Sequence, residues 1–211
     1  MQAPAIVDET YNWAYPLRIR RETTDLILHH EAGSGSAQDI HRYHLSLGWS
    51  GIAYHYYVRR DGSIYRGRPE NAVGGHTKNY NACSIGVCFE GNFETETMCE
   101  AQLDAGLVLV ADIKRRYPGI LVGGHREYSA TACPGKNFPL RELKEVRPMT
   151  GKDIYDAYNA YAVSLPVPEW AKYELQEAID RGITDGSNPM QPIPRYQAAI
   201  MALRAIKEDK E

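Results

Sequence analysis

Two short apolar runs in this chain each end on histidine: TDLILHH at residues 24–30 and ILVGGH at residues 120–125. Each is too short for a helix of ordinary length and far too short to cross a membrane, so both read as buried strands. A third run, CSIGVCFEG at 83–91, alternates around Ile85, Val87 and Phe89 and is a further strand. A chain with such runs has to bury them in a sheet covered by other elements.

The intervening segments supply the cover. Ser36 and Asp39 form a capping-box pattern that opens a helix through Leu47. Thr97 and Glu100 form a second such pattern, ahead of Leu103, Leu107, Val110, Ile113 and Tyr117 at helical spacing, and Pro118-Gly119 ends that helix. Between them, IAYHYYVRRDGSIYRGR carries two aromatic and β-branched runs around Asp61-Gly62, a hairpin signal. The pattern predicts an α/β fold: a mixed central sheet flanked by helices, with His29 and His125 at strand ends, where ligands usually bind in such folds.

After Pro148 the character changes. Residues 149–211 hold three short helical patterns, one opening at Thr150 with Asp153 as capping partner, one near Pro168–Trp170 and one near Arg195, separated by Pro, Gly and Asn. The reading is a catalytic domain over 1–148 and a small helical domain over 149–211. Charges balance 17 to 17 over residues 1–149, so the net −3 of the chain falls on the tail. That distribution argues against nucleic acid as a partner, and no apolar run is long enough for membrane insertion. The first 25 residues lack a basic region followed by an apolar run, which predicts synthesis in the cytoplasm without a signal peptide.

The chemistry concentrates in HREYSATACPG at 125–135, where a histidine precedes a cysteine by eight positions and Pro-Gly turns the chain. Imidazole and thiolate are both ligands for Zn²⁺, and a catalytic zinc is typically held by three protein ligands with a fourth position open. His125 and Cys133 supply two. Spacing leaves the third open among His29, His30, His41, His44, His55 and His76. His29 and His30 alternate across a strand end, so only one can face a common site. His41 and His44 lie three apart on a predicted helix and read as a solvated face. Cys83, Cys88 and Cys99 read as small buried or half-buried thiols.

LILHHEAG, GIAYHYYVRRDGSIYRGRP, VGGHTKNYNACSIGVCFEGNF and GGHREYSATACPG, in that order, resemble the zinc-dependent N-acetylmuramoyl-L-alanine amidases. That group includes phage lysozyme-type amidases and peptidoglycan recognition proteins, and the resemblance runs from about residue 24 to 145. It implies a zinc held by His29, His125 and Cys133, with the Tyr54 hydroxyl near the metal and His76 at the substrate cleft. Phage lysozyme-type members carry a lysine two residues before the ligand cysteine. Here Thr131 stands in that place, as recognition-type amidases tend to have, so a neutral hydroxyl replaces an ammonium beside the developing oxyanion.

Tyr80, Asn79, Asn81, Glu90 and Asn92 are groove candidates for stem peptide and sugar, and Glu127 is a candidate partner for a ligand or a proton. The implied reaction is hydrolysis of the amide between N-acetylmuramic acid and L-alanine of peptidoglycan. The implied biology is a phage endolysin or a prophage-derived autolysin, reaching the wall through a holin-type pore or on lysis. A non-catalytic recognition module of the same fold is the alternative, although such modules commonly lack the cysteine. A purely structural zinc would need a fourth ligand from Cys83 or Cys88. Residues 167–205 resemble one S-layer homology-like unit, which makes the tail a wall-binding module or else a packing or homo-oligomerising appendage.

Overall fold

The computed structural model describes residues 4–187 together with 189 and 190. The chain divides into two compact units, Met1–Pro148 and Met149–Glu211.

The first unit is built on six strands: β1 (Ile6–Asp8), β2 (Asp25–His30), β3 (Tyr56–Val58), β4 (Ile64–Arg66), β5 (Ser84–Phe89) and β6 (Leu121–Gly124). They form one mixed sheet in the order β1-β4-β3-β5-β2-β6. Only the β3–β4 hairpin is antiparallel; β1 with β4, β3 with β5, and β2 with both β5 and β6 are parallel. Three helices belong to this unit: α1 (Ala37–Ser46), α2 (Glu100–Arg116) and α3 (Leu140–Glu145).

Strand alternation divides the core. Leu26, Leu28, Ile85, Val87 and Phe89 pack with Leu109, Val110 and Ile113 of α2 and Leu143 of α3. On the other face Tyr57 and Cys88 pack with Ala37 and Ile40 of α1 and with Tyr11 and Ile52. In the parallel register His29 lies beside Cys88 and Asp25 beside Ser84, so the second face also carries His29 and Ser84. His29 therefore sits on the α1 side of the sheet.

Local signals set most of the helix ends. Ser36 caps α1 in a reciprocal box with Asp39, whose backbone N–H donates to the Ser36 hydroxyl at 3.1 Å. The expected box at Thr97 and Glu100 is absent: α2 begins after Cys99, which makes no side-chain cap. Tertiary bonds hold that helix start in its place. The Cys99 thiol donates to the Arg60 carbonyl at 3.0 Å, and the Gln102 amide donates to the Val58 and Glu90 carbonyls. Cys99 is exposed, unlike the buried Cys88 and half-buried Cys83.

The histidines of α1 overturn the solvated-face reading. His41 and His44 are buried, and their Nδ1 atoms accept from the Ile52 and Ala53 backbone N–H groups at 3.1 and 3.2 Å. They pin the segment that leads to Tyr54, so β3 begins only at Tyr56.

Two buried arginines complete this frame. Arg68 donates from Nε to the Ile52 carbonyl and from Nη1 to the Val73 carbonyl. Arg20 donates from Nη1 to the carbonyls of Ala72 and Ser84, at 2.9 and 3.1 Å. Strand β1 gave no periodic signal, being three residues at the sheet edge.

The second unit contains α4 (Gly151–Ser164), capped by Thr150 and Asp153 in a reciprocal box, and α5 (Lys172–Asp180) behind a 3₁₀ turn at Glu169–Ala171. Trp170 on that turn is 80% exposed. The expected helix near Arg195 lies outside the described residues. Among the described residues no helix is long and apolar enough to cross a membrane.

Candidate metal centre

Strand β2 ends by sending its two histidines to opposite faces. His30 turns to the α2 side, where its Nδ1 accepts from the Phe93 backbone N–H at 3.2 Å. His29 turns to the α1 side and is almost fully buried. Beside it, β6 runs into a 3₁₀ turn that begins with His125, and the imidazole rings of His29 and His125 lie 4.5 Å apart.

The loop that follows brings Cys133 back. Arg126 closes it, donating from its backbone N–H to the Cys133 carbonyl at 2.8 Å and from its guanidinium to the Gly135 carbonyl at 3.0 Å. Gly135 adopts φ +102°, and a Cβ there would stand 2.4 Å from the Phe93 carbonyl carbon, so the turn requires glycine.

One donor atom from each of His29, His125 and Cys133 lies within 4.8 Å of the others. Cys133 Sγ is 3.8 Å from His29 Nδ1. Tetrahedral zinc with bonds of about 2.0 and 2.3 Å would separate a nitrogen and a sulfur by about 3.5 Å, so the spacing suits the ion.

The electrostatics suit it as well. Burial, with His125 and His30 adding to it, holds His29 well below the ordinary histidine pKa, and burial lowers His125 too. Both are thus neutral, the form that binds metal. Burial pushes the Cys133 thiol up to about 11. An imidazole pair and a thiol crowded in a dry corner without a cation leave that thiol protonated, and zinc is the kind of ion that converts it to thiolate.

Tyr54 stands next to this cluster, its ring 5.2 Å from that of His29. Its pKa is raised well above 10, first by burial and then by the adjacent Cys88 and Cys133 thiols, so the phenol keeps its proton. Tyr54 also lines a cavity of about 430 Å³ with Glu31, Asp39, Ile40, Tyr43 and His44, between α1 and the cluster. Thr131 is exposed on the approach to Cys133, and its Oγ1 accepts from the Cys133 backbone N–H at 3.2 Å. Its hydroxyl proton remains available to another acceptor.

The groove candidates fall into different environments. Tyr80 is half-buried and packs edge-on against Tyr128, with ring centroids 4.8 Å apart. Asn81 serves the backbone, its Oδ1 accepting from the N–H groups of His76 and Thr77 at 2.8 Å each. Asn92 likewise accepts from the Glu94 N–H at 3.1 Å. Glu90 is a correction to the groove set: it is buried, ion-paired to Arg59 at 2.9 Å, and accepts from the Arg60 N–H. A carboxylate inside a sheet needs such partners, and these occupy it. Glu127 accepts from the Gly124 N–H and pairs with Lys144, closing the end of β6.

His76 departs from a cleft-lining role. It is buried, with Nδ1 3.0 Å from His29 Nε2 and Nε2 3.4 Å from Ser84 Oγ. Both ring nitrogens thus face protein. Nothing in the sequence singles out Ser84, and Cys88 reads there as a small buried or half-buried thiol; strand parity with His29 places both on its face of the sheet.

The sheet and its flanking loops gather two imidazoles and a thiol that could hold a metal ion, with a protonated phenol beside them. Residues 20–136 match the N-acetylmuramoyl-L-alanine amidase domain model, and the chain belongs to that family. The chain is 38% identical over 124 residues to peptidoglycan-recognition protein SC2 of Drosophila melanogaster, covering 53% of this chain and 67% of the relative. It is 32% identical over 143 residues to an endolysin of Klebsiella phage KP32, covering 64% of this chain and 93% of the relative. Among solved structures it is similar to the endolysin amidase LysCS from Clostridium intestinale, at 40% identity and TM-score 0.66, covering 68% of this chain and 95% of the other.

Proposed function

We propose that this chain is a zinc-dependent peptidoglycan amidase that hydrolyses the amide between N-acetylmuramic acid and L-alanine of the stem peptide, acting as a phage endolysin or prophage-derived autolysin. The convergence of His29 at the end of β2 with His125 and Cys133 of the loop after β6 carries the reading, because the three offer metal-ligating atoms within 4.8 Å of one another. Zinc held there by His29, His125 and Cys133 would supply a Lewis acid for an unactivated amide and would make water a nucleophile near neutral pH. Tyr54, holding its proton, donates a hydrogen bond to the oxyanion that develops on the scissile carbonyl. Thr131 adds a neutral donor, with its turn held by its own Oγ1. The cavity beside Tyr54 gives the stem peptide or sugar a place against α1.

Residues 149–211 act as an accessory unit, either attaching the enzyme to the wall or pairing two copies of the chain. Their net −3 makes attraction to anionic wall polymers a weak route, so attachment would run through Trp170 and its apolar and polar neighbours. The enzyme reaches its polymer after release by a holin-type pore or by lysis. Digestion of purified sacculi tests the reaction. New alanine amino termini without new reducing sugar ends are expected. Binding to sacculi without new termini would assign the chain to the non-catalytic recognition modules.

A further inference from the structure

The ring of His76 is held in a slot made for it. A Cβ on Gly86 would stand 2.5 Å from His76 Cδ2 and Cγ, and one on Gly74 would stand 2.5 Å from Cδ2. Two backbones therefore flank the ring where no side chain fits. Asn81 holds the His76 backbone from outside. A ring confined in this way has one choice left, the nitrogen that carries its proton.

The bonds around it settle that choice. The Ser84 hydroxyl donates to the Tyr80 carbonyl at 2.6 Å, and a carbonyl can only accept. With its proton committed, Ser84 Oγ accepts, so the partner at 3.4 Å, His76 Nε2, is the donor. A neutral imidazole has one N–H, which leaves a lone pair on His76 Nδ1. The atom 3.0 Å from that lone pair, His29 Nε2, must then carry its own proton. The Thr77 hydroxyl sits beside this contact, 3.1 Å from His76 Nδ1 and 3.4 Å from His29 Nε2. His29 Nδ1 is thereby left bare, and it is the atom that lies 3.8 Å from Cys133 Sγ.

We propose that His76 is a positioning residue for the metal centre: through Ser84 and the Tyr80 carbonyl it fixes the tautomer and the ring orientation of His29, so that the Nδ1 lone pair faces the metal position. This rests on the zinc reading above. Metal-bound histidines usually donate their second N–H to a carboxylate, a carbonyl or water, and removing such partners typically weakens metal affinity about 10–100-fold. Here a second imidazole takes that part.

The test uses the full chain and its affinity for zinc, measured by competition with a chelator. His76→Phe fills the slot but removes both nitrogens, and is expected to weaken zinc binding by about 10–100-fold. His76→Asn puts an acceptor oxygen near the Nδ1 position and is expected to restore most of the loss. Long-range ¹H–¹⁵N spectra of the metal-free wild type should show His29 and His76 each as the single Nε2–H tautomer, a result that needs no variant to fold. His29 protonated at Nδ1 would overturn the proposal, as would a folded His76→Phe that binds zinc like the wild type. A wild-type chain that binds no zinc would instead sink the metal reading, and this one with it.

Discussion

His29 Nδ1 and Cys133 Sγ lie 3.8 Å apart although 104 residues separate them in the chain. Their spacing suits two ligands of one tetrahedral ion, and among the described residues neither atom has another strong partner that would account for the approach. The competing contact of Cys133 is a 3.9 Å approach to the His30 carbonyl.

The state of Cys133 gives zinc binding a pH dependence. The thiol is pushed up to about 11, so below that value it is protonated in the metal-free protein and has to lose a proton to become a ligand. His29 and His125 are lowered and contribute no such release at neutral pH. Zinc affinity should therefore rise about tenfold per pH unit between pH 7 and 9 once the metal's own hydrolysis is corrected for, with about one proton released per ion. Calorimetry in buffers of different ionisation enthalpy measures this directly. Cys133→Ser should lose both the zinc and the lytic activity, and full lysis by a metal-free sample would end the mechanism.

Tyr54→Phe removes one hydroxyl and little else. Because burial keeps that phenol protonated, its contribution is that of a donor to developing charge. The expected result is unchanged zinc content with kcat lower by about 10²-fold. Unchanged turnover would reduce Tyr54 to a packing residue beside Cys88.

Acid should loosen the fold through histidines that take no part in the metal site. Burial, then Arg68, lowers His44 to about 4, and burial lowers His55 to about 3, against roughly 6.5 in the unfolded chain. Above pH 6.5 both are neutral in either state and their contribution is complete. As pH falls below 6.5, the unfolded chain takes up protons that the fold refuses. Stability is then lost at up to about 1.4 kcal/mol per unit for each histidine, down to the folded pKa values. Urea unfolding at pH 7, 6 and 5 in chelator measures the slope. His44→Asn, which keeps an acceptor for the Ala53 N–H, should flatten it, and an unaltered slope would discharge His44.

Residues 149–211 should be separable from catalysis. None of the proposed ligands lies beyond Cys133, and the chain divides into compact units at Pro148 and Met149. A chain ended at residue 149 should keep zinc and cleave soluble muropeptides while acting more slowly on intact walls, since a second attachment raises effective concentration at the polymer. Sedimentation of both lengths, with a pull-down of 150–211 on sacculi, distinguishes attachment from dimerisation. A tail that does neither would remove it from the functional account.

The strands with strong apolar runs and the Asp61-Gly62 hairpin were legible because each signal is local. The same holds for the capping boxes at Ser36 and Thr150. What stayed hidden depends on pairing. Alternation said that only one of His29 and His30 faces the site; the choice of His29 follows from the β2–β5 register, which sets it beside Cys88. Spacing of three along α1 made His41 and His44 look like a wet face, because nothing local announces a loop that needs two buried acceptors. Glu90 looks available in the sequence, but Arg59 pairs with it where β3 runs parallel to β5. His76 was visible as a residue of the site, but its neighbours Gly86 and Ser84 became informative only once the sheet was closed.

Arg20 and Arg68 give this domain rivets that dissolved ions have little means to loosen. Each holds its charge against backbone carbonyls of the 52–84 region, which are dipoles without a counter-charge for salt to screen. The surface pairs, such as Arg66 with Asp8, weaken as ionic strength rises. The segments flanking the catalytic pocket are fastened by the other kind of bond. In brine the periphery should relax first while the Tyr54 and His76 walls keep their shape, which makes this a scaffold for working at polymers whose local salt is set by someone else.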